Sequence, residues 1–146
     1  MVHDLYQETI LDHSKRPRNF HPMEDANRQA DGYNPLCGDK LKLFLRMDGD
    51  IVRDASFVGA GCAISTSSAS LMTESVKGKT IEEATALFER FQRMITGSGD
   101  SPTESLGKLT VLAGVRQFPV RVKCATLAWH TLRSAVADPG GVVSTE

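Results

Sequence analysis

Three cysteines and one aspartate carry the clearest chemical promise in this 146-residue chain. Cys37 and Asp39 stand two apart in Asn34-Pro35-Leu36-Cys37-Gly38-Asp39, Cys62 follows Gly59-Ala60-Gly61, and Cys124 follows Arg121-Val122-Lys123. Residues two apart in extended backbone project to the same side, so a thiolate and a carboxylate at these positions can face one ion. Gly38 between them permits a tight turn. Cys62 reads as a strand-to-helix junction and Cys124 as part of the first turns of a last helix. The positive end of a helix favours the thiolate, the form that binds metals and attacks sulfur.

Three thiolates and a carboxylate make four donors, the number a closed tetrahedral site takes. Soft sulfur dominates the set. That suits zinc best among the common divalent ions, while iron–sulfur clusters are also held by cysteine thiolates. Zinc in such a site leaves two negative charges in excess, and Lys40, Arg121 and Lys123 adjoin the ligands in sequence and could offset them. On spacing alone the alternative stays open. A buried cysteine usually only packs, an aspartate beside glycine is commonly a turn residue, and the chain has no Cys-x-x-Cys pair.

The elements that must position these residues follow from pattern. Asp4 to Ser14 reads as a helix capped by Asp4, with Leu5, Ile10 and Leu11 as its apolar anchors. Lys15 to Asp31, with Pro17 and Pro22, reads as an extended loop. His13 and His21 flank Arg16-Pro17-Arg18 and read as part of a docking surface. Leu41, Leu43, Leu45 and Met47 alternate with polar residues, predicting a strand with one apolar face, preceded by a short strand before Cys37. Asp48-Gly49 reads as a two-residue hairpin turn with φ > 0 at both positions, returning along Ile51 to Val58.

A small-residue helix runs from Cys62 to about Val76 and is closed by Gly78. Thr80 and Glu83 form a capping box that opens a helix to Ile95. A turn over Gly97–Pro102, a short helix with Leu106, Leu109 and Leu112 inward, and a last helix from Pro119 complete the order. His130 falls on a different face of that helix from Cys124. One helix, a strand cluster and then helices predict an α+β fold, a small antiparallel sheet packed on one face by helices. Residues 1–137 read as one domain, and 138–146 as a mobile tail.

Bulk properties exclude several classes. A net charge of −1 gives no electrostatic footprint for nucleic acid or an anionic membrane. No apolar run approaches the length of a membrane span, and the N-terminus lacks the blocks of a signal peptide, so the expectation is cytoplasmic. An odd cysteine count argues against a disulfide framework.

Taken together, Asp12–Phe20, Asn34–Asp39, Gly61–Ser65 and Val122–Trp129 resemble the IscU/NifU-N family of iron–sulfur assembly proteins over nearly the whole chain to about residue 137. The resemblance is narrower to its SufU branch. Lys123 stands where IscU proteins carry histidine, and Phe88 to Gly107 looks like the branch's insertion. The resemblance implies a SufE/NifU-like sandwich with zinc held by Cys37, Asp39, Cys62 and Cys124. It implies a pyridoxal-phosphate cysteine desulfurase of the SufS type as sulfur donor, and a downstream cluster scaffold or apo-proteins as acceptors. Cys37 is the implied sulfur acceptor, with Arg121, Lys123 and Lys40 tuning charge or meeting the partner. Two other readings stand beside it: a scaffold that assembles and transfers a [2Fe–2S] cluster, and a zinc-stabilised interaction module.

Overall fold

The alternation of Leu41, Leu43, Leu45 and Met47 with Lys40, Lys42 and Arg46 builds the middle of the fold. In strand β2 (Asp39–Asp48) the odd-numbered residues are buried and most of the even-numbered ones face solvent. The computed structural model describes residues 2–35, 38–96, 106–137 and 142–144. Strands β1 (Arg28–Asn34) and β3 (Ile51–Ala60) pair antiparallel on either side of β2. The apolar face so formed is covered by helices, giving the expected α+β arrangement. α2 (Ala63–Val76) packs against β3, and α4 (Pro119–Ala137) against β1 and β2. α1 (Val2–Lys15) lies on α2, and α3 (Ile81–Thr96) lies on α4.

Several expectations need correction. The first helix begins at Val2 and passes through Asp4 rather than being capped there, and Leu11 is 49% exposed rather than an anchor. Strand β1 takes up residues 28–31, which the polar composition assigns to loop; pairing with β2 outweighs their weak strand propensity. The hairpin turn is Gly49-Asp50, flanked by the pair Asp48↔Ile51. Gly49 has φ 64 and Asp50 does not enter positive φ, the pattern of a type II′ turn with glycine first. A fourth strand, β4 (Val142–Ser144), runs parallel to β1 inside the stretch expected to be a tail, so the sheet order is β3-β2-β1-β4. The rest of that stretch, and the turn expected at 97–102, lie outside the described residues.

Other elements form as their patterns indicate. Thr80 and Glu83 exchange side-chain to backbone hydrogen bonds of 3.0 and 3.1 Å at the start of α3, a closed capping box. Leu106, Leu109, Leu112 and Val115 recur every third residue, the period of the 3₁₀ helix that forms over Gly107–Gln117, and all four are buried. Phe88 and Phe91 of α3 stack on the buried Trp129 of α4 with ring centroids 5.7 and 4.8 Å apart. His130 is half-buried with its ring 5.1 Å from Phe88. Among the described residues no helix is long and apolar enough to cross a membrane.

The segment around Arg16-Pro17-Arg18 clasps α2 and β3 through His13, Arg18 and Asn19, while Lys15, Arg16 and Phe20 stay exposed. His13 is 1% exposed, and its Nδ1 lies 2.7 Å from Ser70 Oγ of α2. That oxygen also accepts the Arg18 N–H at 2.8 Å. Asn19 takes φ 59, and its carbonyl accepts the Phe57 N–H at 2.9 Å, while Phe20 packs edge-on to Phe57. Arg18 pairs with Asp12 at 2.6 Å. His21 remains exposed, as expected.

Burial first, and the nearby Arg18 cation second, hold His13 below its ordinary pKa; burial does the same to His130. The unfolded chain therefore binds more protons than the folded one below pH 6.5, so stability declines as pH falls through that region. Urea unfolding between pH 8 and about 5 checks this. His13→Gln should cost about 1 kcal/mol at pH 8, from the hydrogen bond to Ser70, and should flatten the acid-side decline. An unchanged slope in the variant would show that His13 does not carry it.

Candidate metal centre

Strand alternation turns Asp39 inward at the first position of β2, where it is 0% exposed. Cys62 is the N-cap of α2, with extended backbone (φ −71, ψ 169), and its Sγ accepts the Ser65 N–H at 3.4 Å. Cys124 lies one and a half turns into α4 and is 1% exposed. As a thiol it donates to the Val120 carbonyl oxygen at 3.7 Å. The donor atoms of Asp39, Cys62 and Cys124 all lie within 4.8 Å of one another, although the residues come from three elements. Cys37 lies outside the described residues.

The local backbone explains the convergence. Ala60 pairs with Lys40 at the end of β3, so the chain leaves the sheet beside the start of β2. Gly59 has φ 154, and a Cβ there would lie 2.2 Å from the Lys40 carbonyl oxygen. A Cβ on Gly61 would lie 2.7 Å from Asp39 Oδ1. The two glycines let the chain pass close enough for the Cys62 N–H to donate to Asp39 Oδ1 at 2.9 Å. The small-residue run before Cys62 is therefore a steric requirement of the carboxylate and of β2.

Asn34 belongs to the site, although it was not among the predicted ligands or their neighbours. It is the last residue of β1, paired across the hairpin with Asp39, and it is 0% exposed. Its Nδ2 lies 3.4 Å from Asp39 Oδ2 and 3.5 Å from Cys124 Sγ. Its Oδ1 is buried with no hydrogen-bond partner among the described residues. An unpaired buried amide oxygen ordinarily costs about 1–3 kcal/mol. The available signal was its place in the Cys37 motif, five residues before Asp39, where a hairpin brings the two together.

The predicted basic neighbours are dispersed. Lys40 projects from the opposite face of β2 to Asp39, and its Nζ stacks 5.7 Å from the Tyr33 ring centroid. Arg121 is exposed and lies 5.8 Å from the Phe118 ring centroid. Lys123 is half-buried and makes no ion pair with Asp39 among the described residues. Beside Cys62 and Cys124 opens a largely apolar cavity of about 470 Å³, walled by Gln117, Phe118, Pro119, Val120 and Arg121. Phe118 and Val120 are each 54% exposed on its rim. Cys62 is half-buried, and with the cavity beside it the centre has an approach for a reactant.

Known proteins resemble the chain over most of its length. The model of the NifU-like N terminal domain matches residues 5–139. The zinc-dependent sulfurtransferase SufU of Bacillus subtilis (strain 168) is 45% identical over 137 residues, covering 94% of this chain and 92% of that protein. The iron–sulfur cluster assembly scaffold protein IscU of Streptococcus pyogenes serotype M1 is 43% identical over 135 residues, covering 92% of this chain and 84% of that protein. A crystal structure from the thermophile Fervidobacterium islandicum AW-1, assigned to scaffolding in the SUF system, superposes with a TM-score of 0.85 at 36% identity. The match covers 92% of this chain and 98% of that one.

The space left by Gly61 offers a direct test. Gly61→Ala places a methyl group against Asp39 Oδ1 and strains the Cys62 N–H bond to it. Competition with a chromophoric chelator should show affinity for zinc or cobalt weakened about 10–100-fold, with metal-free stability lowered by about 1 kcal/mol, the worth of one hydrogen bond. Unchanged affinity would mean that the carboxylate need not occupy this position.

Proposed function

The chain belongs to the NifU-like N terminal domain family, a family of iron–sulfur cluster assembly proteins, and on that premise we propose that it is a zinc-dependent sulfur acceptor. In this reading it takes persulfide sulfur from a pyridoxal-phosphate cysteine desulfurase of the SufS type and passes it toward a downstream scaffold or apo-protein. The observation that carries the proposal is the convergence of Asp39, Cys62 and Cys124 beside an open cavity. The 45% identity to a relative named as a zinc-dependent sulfurtransferase supports it.

The donor set fits zinc in kind and in spacing. Zn–S bonds of about 2.3 Å and Zn–O bonds of about 2.1 Å set ligand separations of about 3.6–3.8 Å in a tetrahedron. The three described donors lie within 4.8 Å, so closing around the ion takes shifts of about 1 Å at most, within the reach of side-chain rotation. Cys37, Asp39, Cys62 and Cys124 would hold the ion. Zinc, when bound, keeps the thiolates deprotonated at neutral pH and links the sheet to α2 and α4.

The chemistry assigned to the chain is thiol–disulfide exchange. The Cys37 thiolate attacks the outer sulfur of the desulfurase persulfide, the persulfide S–S bond breaks, and the desulfurase cysteine leaves as its thiolate. Cys37 then carries the persulfide, and no external oxidant or reductant is consumed. Cys37 suits this role because only Gly38 separates it from Asp39 in the chain, whereas Cys124 is buried in a helix and Cys62 caps one. Cys62 and Cys124 hold the site together.

A second reading, assembly and transfer of a [2Fe–2S] cluster on the same four residues, is favoured by the 43% identity to a relative named as a scaffold. Two measurements separate the readings. Purified protein should contain about one zinc per chain and accelerate desulfurase turnover, and Cys37→Ser should abolish acceleration while the fold persists. Zinc-loaded protein that leaves turnover unchanged would remove the sulfur-acceptor reading. Anaerobic reconstitution that gives a stable chromophore, transferable to an apo-ferredoxin, would establish the scaffold. Acceleration retained in Cys37→Ser would move the acceptor role to another cysteine.

A further inference from the structure

The charge balance of the centre points away from its basic neighbours and toward its amides. Three thiolates and a carboxylate exceed the charge of a divalent ion, yet Lys40 faces the opposite side of the sheet and Arg121 lies over Phe118. Neutral N–H groups do reach the described ligands. Cys62 N–H meets Asp39 Oδ1, Ser65 N–H meets Cys62 Sγ, and the Asn34 side-chain amide meets both Asp39 Oδ2 and Cys124 Sγ. Of these donors only the Asn34 amide belongs to a side chain, and only it spans two ligands from different elements.

We propose that Asn34 is a positioning residue of the metal centre: its Nδ2 hydrogens, one toward Asp39 Oδ2 and one toward Cys124 Sγ, hold the carboxylate and the thiolate at the spacing a metal needs and disperse their negative charge. The inference rests on reading this cluster as a metal centre. The amide has two hydrogens on one nitrogen, so it serves two acceptors at once without moving. The remaining Asp39 oxygen is already fixed by the Cys62 N–H. The carboxylate is thereby held from both ends, and its rotation is restricted before any ion arrives. Asn34 is itself anchored by its backbone, as the β1 residue paired with Asp39, so the distance between amide and carboxylate is set by the hairpin. A hydrogen bond to sulfur also lowers the charge that a thiolate donates, so this contact tunes the metal–sulfur bond as well as its direction. That Oδ1 has no partner among the described residues is consistent with an amide kept for its donors.

The test uses Asn34→Leu, which keeps the branched outline and removes the donors, and Asn34→Asp, which keeps the shape and replaces donors with acceptors. Zinc affinity is measured by chelator competition, the cobalt-substituted protein is examined for its sulfur-to-metal charge-transfer and d–d bands, and metal-free unfolding is followed in parallel. We expect metal-free Asn34→Leu to remain folded, its zinc affinity to fall about 10–100-fold and its cobalt bands to shift. Asn34→Asp should lose more affinity than Asn34→Leu. If either variant fails to fold without metal, the other carries the comparison. Variants that match the wild type in both affinity and cobalt spectrum would overturn the inference while leaving the metal centre intact. A wild type that takes up neither metal would overturn the metal-centre reading, and this inference with it.

Discussion

A hydrogen bond of 2.9 Å, from the Cys62 N–H to Asp39 Oδ1, joins the start of the central strand to the start of the first core helix. It exists only because the chain between β3 and α2 carries almost no side chains at the crossing. At Gly59 a side chain would strike the backbone of β2, and at Gly61 it would strike the carboxylate itself. Once the bond forms, the N-cap of α2 is fixed relative to the sheet, and the direction of α2 across the apolar face follows. The clasp from His13 to Phe20 then locks onto α2 and β3 from outside, and α4 closes over the same face. Scaffold and site are thus one construction, because the contact that sets a helix in place also orients a ligand.

That economy shapes the electrostatics. Burying a carboxylate and two thiolates near one another is costly unless each is met by donors or by a cation. The protein meets them mainly with peptide and amide N–H groups, placed by strand ends and a helix start. Such groups carry no mobile charge, cannot be titrated away and are as rigid as the elements that hold them. A centre compensated in this way depends on the metal to complete its balance. That suits the sulfur-acceptor role proposed for the chain.

Much of this was legible in the residues. The two-residue alternation in β2, the Thr80–Glu83 box and the three-residue spacing of Leu106, Leu109 and Leu112 each dictate a geometry through one local rule. The joint presence of Cys62, Cys124 and Asp39 at one place was legible as chemistry, though not as distance. What escaped was set by partners distant in sequence. Residues 28–31 become strand because β2 is there to pair with, and 142–144 because β1 offers a free edge. His13 looks like a surface residue until Ser70 arrives to bury it. Asn34 gives no compositional sign of its role, because an asparagine before proline is an ordinary turn residue until the hairpin register sets it against Asp39. The shift of the hairpin turn by one residue is of the same kind, since Asp48-Gly49 and Gly49-Asp50 both read as turns and the register of β2 with β3 decides between them.

The position of Cys124 on the last helix has a consequence in time. Cys62 leaves the ribosome 62 residues ahead of Cys124, an interval of about 3–12 s at ordinary rates of synthesis. During it β1, β2 and β3 can pair and the α2 cap can form, since all these segments precede Cys124 in the chain. The third described donor and the helix that walls the cavity are still missing. A nascent chain in this interval shows a reactive sulfur at a helix start with one side open. Protection of that thiol from premature oxidation or stray metal therefore comes with the docking of α4, and any change that slows this docking lengthens the exposure.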